Sequence, residues 1–378
     1  MDILTITARD GNARAGRLAL AHGSAATPCL MPVASQGTVK GVLLANVADL
    51  GFEIILANSY HLMLRPGLDV IERAGGLHRF MGWDRPILTD SGGFQLFSLA
   101  SLCKIAEEGV RFQSHVDGAM HFVGPEDAVR CQETLGSDIA MVLDEFPGYP
   151  CARDAAEAAV ARTLRWAERC LAARTRADQA LFAIVQGSVW PELRETCAAR
   201  LRELPFPGYA IGGLSVGEDR PARVEAVRVS VAALPDARPR YVMGVGEPED
   251  ILPMVAAGVD MFDCVIPTRC GRNGRLYTFA GPVNIRNTRF RMAMEPLEPG
   301  CPCPGCARTP AAYLHHLYNR DEMMGPILGT LHNLCFFQRL FTQVRSAIGE
   351  RRLGAFTAEF LGRFTRTGAG DAESGDSH

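Results

Sequence analysis

Along most of its length the chain alternates short apolar runs with amphipathic stretches. Residues 29–34, 53–57, 86–89, 139–143, 181–185, 209–211, 241–243 and 261–266 are near-continuous apolar segments of strand length. That is the pattern of strands covered on both faces. Between them, residues 38–50, 68–73, 152–173, 193–204, 222–234 and 250–257 carry apolar positions at helical spacing, with Trp166 and Leu171 on the core side of the longest. The beat breaks at residues 110–123, where alternation around Asp117-Gly118 predicts an inserted hairpin. Eight strands, most followed by helices, predict an α/β fold, a (β/α)8 TIM barrel. An open doubly wound sheet is the alternative, but no Gly-rich dinucleotide fingerprint follows any strand.

The polar interruptions fall at one end of successive strands: Asp90, Asp144, Gln186, Gly212-Gly213 and Asp263. In a barrel those ends share the rim where active sites are built. Asp263 sits inside an apolar run, a costly place for an acid unless it is paired or working. It is followed by an acid-free segment, Cys264 to Met294, that holds six arginines. Pro267 is expected to end the strand there, with a Gly/Asn-rich loop carrying Arg269, Arg272 and Arg275. A plainer reading is a turn-capping aspartate beside a solvated arginine face.

Composition narrows the picture. The net charge is −3, so a polyanion must be met by a local patch, and lysine occurs only at Lys40 and Lys104. Twelve cysteines in a chain whose start lacks an apolar signal core point to a reducing cytoplasm. No run reaches the length of a membrane span. Residues 1–284 are expected to form the barrel, 285–364 a C-terminal zinc-binding helical subdomain, and 365–378 a disordered tail.

Several residues suit chemistry. Asp90-Ser91-Gly92-Gly93-Phe94 offers an acid, two glycines that admit a flat ligand, and a ring to stack on it. Asp144 and Gln186 suit the edge of a purine, Gly213-Leu214 add backbone groups, and Met243 a wall. Each alone is equally a capped loop or plain core. Together, two separated acids around such a pocket suit nucleophilic attack at an anomeric carbon with proton management. Cys301-Pro-Cys303-Pro-Gly-Cys306 is a knuckle of three thiolates that needs a fourth ligand for a closed zinc site. His332, expected to open an apolar helix over 331–341, is chosen for it, against His315, His316 and Cys335.

TDSGGFQ (89–95), VLDE (142–145), IVQG (184–187), AIGGLSVGE (210–218), MGVGEPED (243–250), DMFDCVIPTR (260–269), CPCPGC (301–306) and His332-Asn333 resemble the queuine/preQ1 tRNA-guanine transglycosylases. The motifs run in unbroken order from about residue 27 to about 345. The resemblance implies a (β/α)8 barrel with one structural zinc per chain, held by Cys301, Cys303, Cys306 and His332. It implies exchange of guanine at wobble position 34 of GUN-anticodon tRNAs (Asp, Asn, His, Tyr) for a 7-deazaguanine. Asp263 corresponds to the nucleophile, Asp90 to the general acid/base, and Ser91, Gly92, Gly93, Asp144, Gln186, Gly213 and Leu214 to base-binding positions. Phe94 and Met243 correspond to the stacking walls. Arg269, Arg272 and the turn Gly244-Val245-Gly246 correspond to tRNA contacts. A homodimer through Tyr313, His316 and Leu328 is implied, with Thr309 where relatives often carry Trp. Phe146 and Val216 depart toward bulk beside the 7-position and favour preQ1, whereas GTVKG (37–41) is as close to the queuine enzymes. A non-catalytic tRNA-binding subunit of a heterodimer is the alternative, set against the presence of both aspartates.

Overall fold

The computed structural model describes residues 2–95 and 102–371. Strands β1 (Leu4–Asp10), β2 (Ala13–Leu20) and β3 (Gly23–Thr27) form an antiparallel sheet under the main body. The main body is an eight-stranded parallel sheet. Its strands are β4 (Cys29–Pro32), β5 (Ile55–Asn58), β6 (Ile87–Asp90), β10 (Ile139–Met141), β11 (Ala180–Val185), β12 (Tyr209–Ile211), β13 (Arg240–Val242) and β14 (Met261–Cys264). Between β6 and β10 stands a separate antiparallel sheet of β7 (Cys103–Ile105), β8 (Val110–Gln113) and β9 (Met120–Val123). The expected hairpin is therefore present, with a third strand added.

The sheet closes on itself. β14 pairs with β4 in register, and the last seam is the parallel bridge Val33–Leu56, with Ala34 N–H donating to the Leu56 carbonyl at 2.6 Å. This is the expected (β/α)8 barrel. Closure removes the free edges that an open sheet would leave. Leu30, Leu88, Ala140, Phe182, Ile184, Ile211, Val242 and Phe262 on these strands are all buried in one continuous apolar cluster, shared between the inside of the barrel and the layer between strands and helices.

Asp260 and Asp263 lie at opposite ends of β14 and have different fates. Asp260, on the floor, takes Arg14 bidentately at 2.8 and 2.6 Å and accepts the Arg240 N–H at 2.7 Å. A buried carboxylate with that many donors is a structural tie between the N-terminal sheet and the barrel.

Four expectations about the elements need correction. Residues 38–50 are helical only over Leu44–Asp49, because Gly37 and Gly41 adopt left-handed φ of 75° and 88°. Pro267 does not open a loop. It lies in the first turn of a helix, Ile266–Asn273, where proline has no hydrogen bond to lose, and Gly274 in αL ends it. His332 does not open its helix either; the helix runs Met324–Gly349 and places it in the third turn. Finally, the helix Leu353–Asp371 continues past residue 364. Phe356, Phe360 and Phe364, one turn apart, are buried and dock it, and a docked helix propagates cheaply. Residues 372–378 lie outside the described residues.

After the hairpin β15 (Arg275–Thr278) and β16 (Gly281–Asn284), the helices Pro304–Arg308, Ala311–Asn319 and Met324–Gly349 follow. Leu276, Val283, Ile285, Ala311, Leu314 and Tyr318 form a small core there. Phe336, Phe337, Leu340, Phe341 and Val344 instead join the barrel's own apolar cluster.

Candidate active site and metal cluster

The C-terminal ends of the barrel strands surround a cavity of about 520 Å³. Asp90, Phe94, Asp144, Gln186, Gly213, Leu214, Met243, Gly244, Gly246, Asp263 and Arg269 all line it. The register dictates this convergence: the last residue of each parallel strand reaches the same rim, however far apart the strands lie in sequence.

Asp90 closes β6. Asn58 Nδ2 donates to its Oδ2 at 3.1 Å, and its own carbonyl accepts from Ser59 Oγ at 2.7 Å. Burial, and then the charges of Asp144 and Asp263, push its carboxyl up to about 7, against hydrogen bonds from the Gly92 and Ser91 backbone. Asp263, on β14, accepts at a single oxygen, Oδ1, from Tyr241 Oη at 2.5 Å and from Gly244 N–H at 2.8 Å. Burial raises its carboxyl, and those two donors oppose the rise. Asp144 is pushed up to about 6 by burial, offset by Gln186, whose Nε2 donates to Oδ2 at 2.6 Å. Gln186 Oε1 is buried with no partner among the described residues, an acceptor left for a ligand. Glu145 turns away and pairs with Arg162.

Phe94, 44% exposed, stands over the cavity with its ring centroid 5.4 Å from that of Phe146. Phe146 and Val216 both line the cavity. The glycines also allow close packing within the protein. A Cβ on Gly92 would come within 2.6 Å of Tyr60 Cβ, and one on Gly93 within 2.7 Å of Asp144 Oδ1. Neither they nor Ser91 line the cavity wall, and the two glycines let Tyr60 and Asp144 approach closely. Likewise a Cβ on Gly213 would come within 2.3 Å of Gln186 Oε1. Val245 is buried and off the wall, while Gly244 reaches the site through its N–H on Asp263.

The arginines divide. Arg275 pairs with Glu247 at 3.3 Å and lies over Tyr277, and Arg286 pairs with Asp321. Among the described residues Arg269 and Arg272 have no ion pair; Arg269 is exposed at the cavity edge, and Arg272 Nη1 is buried without a partner.

Three residues that serve the site escaped the sequence reading. Tyr241 reads as core within a strand. Asn58 ends a strand and looks like a helix cap, which it also is. Arg194 is fully buried with no ion pair among the described residues, donating to the carbonyls of Ser188 (2.6 Å) and Gly212 (2.9 Å) next to Gln186 and Gly213. Nothing in an ordinary amphipathic helix pattern marks it.

Cys301, Cys303, Cys306 and His332 are buried together. Their sulfurs lie 3.8, 3.6 and 3.4 Å from His332 Nδ1. A tetrahedral zinc with one nitrogen and three sulfurs has N–S edges of about 3.5 Å. His332 Nε2 contacts the Tyr277 carbonyl at 2.8 Å, which leaves Nδ1 toward the thiols. The donor set thus fits a metal ion with no open position. Of the competing fourth ligands, His315 contacts the Ile285 carbonyl, His316 is exposed, and Cys335 approaches only Cys301, at 3.8 Å.

Fold and site together define a (β/α)8-barrel enzyme with carboxylates gathered at its mouth and a metal-type cluster in an appended subdomain. The family model for queuine tRNA-ribosyltransferase matches residues 10–366. The chain is 50% identical over 362 residues to the queuine tRNA-ribosyltransferase of Pelotomaculum thermopropionicum, covering 95% of this chain and 98% of that one. It is 51% identical to that of Moorella thermoacetica (94% and 95% covered) and 49% identical to that of Dehalococcoides mccartyi (97% and 93%). The chain belongs to the queuine tRNA-ribosyltransferase family.

Proposed function

We propose that the protein exchanges guanine at wobble position 34 of GUN-anticodon tRNAs (Asp, Asn, His, Tyr) for a 7-deazaguanine, as a cytoplasmic tRNA-guanine transglycosylase. Asp263 attacks ribose C1′ while the C1′–N9 bond breaks and the electron pair leaves with guanine. Asp90, neutral as an acid, supplies the proton the leaving base needs. The incoming base then loses its N9 proton to the Asp90 carboxylate and displaces Asp263 from C1′. The observation that carries this reading is the asymmetry of the two acids. Asp263 is aimed by two donors on one oxygen, while Asp90 is pushed up to about 7 and is populated both protonated and ionised near neutrality.

Asp144, Gln186, Gly213 and Leu214 read the base edge, with Phe94 and Met243 as its walls. Phe146 and Val216 narrow the space beside the base and favour the aminomethyl group of preQ1 over the cyclopentenediol of queuine. Arg269 and Arg272 take tRNA phosphates. Zinc is the metal we assign to the Cys3His cluster, with a structural role; residues 285–364 form its subdomain. A homodimer is supported by exposed Met292, Met294, Tyr313, Met323 and Met324 in that subdomain.

The test is incubation of unmodified tRNA with radiolabelled preQ1 or queuine, alongside Asp263→Asn. Wild type incorporates preQ1 faster and forms a denaturant-resistant protein–tRNA adduct; the variant does neither yet folds. An adduct in Asp263→Asn, or faster queuine incorporation, overturns the corresponding part.

A further inference from the structure

The floor of the barrel, opposite the rim cavity, holds a second set of metal-type ligands. Asp138, buried just before β10, is fixed by backbone: its Oδ1 accepts His22 N–H and its Oδ2 accepts Ile87 N–H, both at 2.8 Å. His22 Nδ1 lies 3.0 Å from Oδ1, and His78 Nε2 lies 3.2 Å from Oδ2. The two imidazoles stack with centroids 3.6 Å apart and planes 18° from parallel. His22 belongs to the turn between β2 and β3, and His78 to the helix Leu77–Met81. Three elements distant in sequence thus bring two imidazoles and one carboxylate within 4.8 Å of one another.

His78 Nε2 is the telling atom. It is buried and, despite its closeness to Oδ2, has no aligned hydrogen bond among the described residues. A buried polar atom left in that state needs a partner. The 3.0 and 3.2 Å separations run to different oxygens of Asp138, so an ion shared by both rings requires one imidazole to leave the stack, after which ligand edges of about 3.3 Å are within reach. His22 is 39% exposed, so its ring is free to tilt out of the stack and water has access to the remaining positions.

We propose that His22, His78 and Asp138 form a second metal site for a borderline divalent cation of the Zn2+, Co2+ or Ni2+ class. Two imidazoles with one carboxylate suit those ions. The absence of thiolate disfavours Cu(I), and a single carboxylate is too few oxygens for Ca2+. An ion there ties the N-terminal sheet to the barrel floor, with no part in chemistry at the rim.

The experiment uses full-length protein with zinc in the Cys3His cluster, titrated with Co2+ and desalted for ion counting. The expected result is a second ion per chain whose cobalt spectrum lacks sulfur-to-metal charge transfer, with a rise in melting temperature. His22→Ala and His78→Ala each weaken that ion by at least about tenfold and abolish the rise, leaving the zinc in place. If His78→Ala fails to fold, His22→Ala, whose ring is partly exposed, carries the test. One ion per chain at saturating Co2+, or a second ion bound equally well by His22→Ala, overturns the proposal; a thiolate-type spectrum would show cobalt in the Cys3His cluster instead.

Discussion

Asp90→Asn should cost the enzyme its exchange activity and make the protein more stable, by an amount that grows with pH. Asn keeps the shape and can still accept from Asn58, but it cannot ionise. In the folded protein the Asp90 carboxyl is pushed from 3.8 to about 7 by burial and by Asp144 and Asp263. At about 1.4 kcal/mol per tenfold in proton affinity, this amounts to about 4 kcal/mol against the charged form. The sign follows from linkage: the folded state holds a proton that the unfolded state has released. The group's contribution is therefore fully present below 3.8 and is lost as pH rises through about 7. At pH 5 about 1.5 kcal/mol is already lost, and at pH 8 nearly all of it, so the variant's advantage should widen by about 2.5 kcal/mol across that range. Urea unfolding of both proteins at pH 5, 6.5 and 8 measures this, because titrating groups not coupled to Asp90 are common to both, while Asp144 and Asp263 respond as part of the same effect. A gap independent of pH, or a variant less stable at pH 8, would refute the electrostatic account of Asp90.

Other perturbations separate the remaining parts. Cys303→Ala, or a strong chelator, should release one zinc per chain and raise protease sensitivity after residue 285, since structural metal binding is folding free energy; a variant that keeps its metal argues against the ligand set. Arg269→Ala and Arg272→Ala should each flatten the salt dependence of tRNA binding by roughly one unit while free-base binding survives; an unchanged slope with lost base binding would move them into the pocket. Arg194→Met should cost about 3 kcal/mol in a denaturation experiment, because buried carbonyls lose their donor; a cost within the scatter of surface mutants would deny it a structural role. Sedimentation at micromolar concentration should give a dimer, and a monomer would remove the exposed apolar residues of the subdomain from the interface.

Much of this molecule was legible in one dimension, for a physical reason. A strand buried on both faces must be apolar throughout, so its polar terminus stands out; Asp90, Asp144, Gln186 and Asp263 were visible as interruptions, and strand order alone placed them on one rim. Cys301, Cys303 and Cys306 lie so close in sequence that their convergence needs only a local turn. What the chain withheld depends on contacts between segments far apart in sequence. That Asp260 is a floor tie and Asp263 a rim group, three residues apart, depends on Arg14 reaching one end of β14 and Tyr241 the other. That Gly92 and Gly93 make room for Tyr60 and Asp144 appears only when three strands are assembled. Arg194 and the His22–His78–Asp138 cluster carry no local signature, since a side chain's neighbours across a fold follow from closure of the barrel. Local pattern determines which segments are strands and where each polar end falls; only packing decides which of those polar groups are satisfied by the protein and which are left for something else.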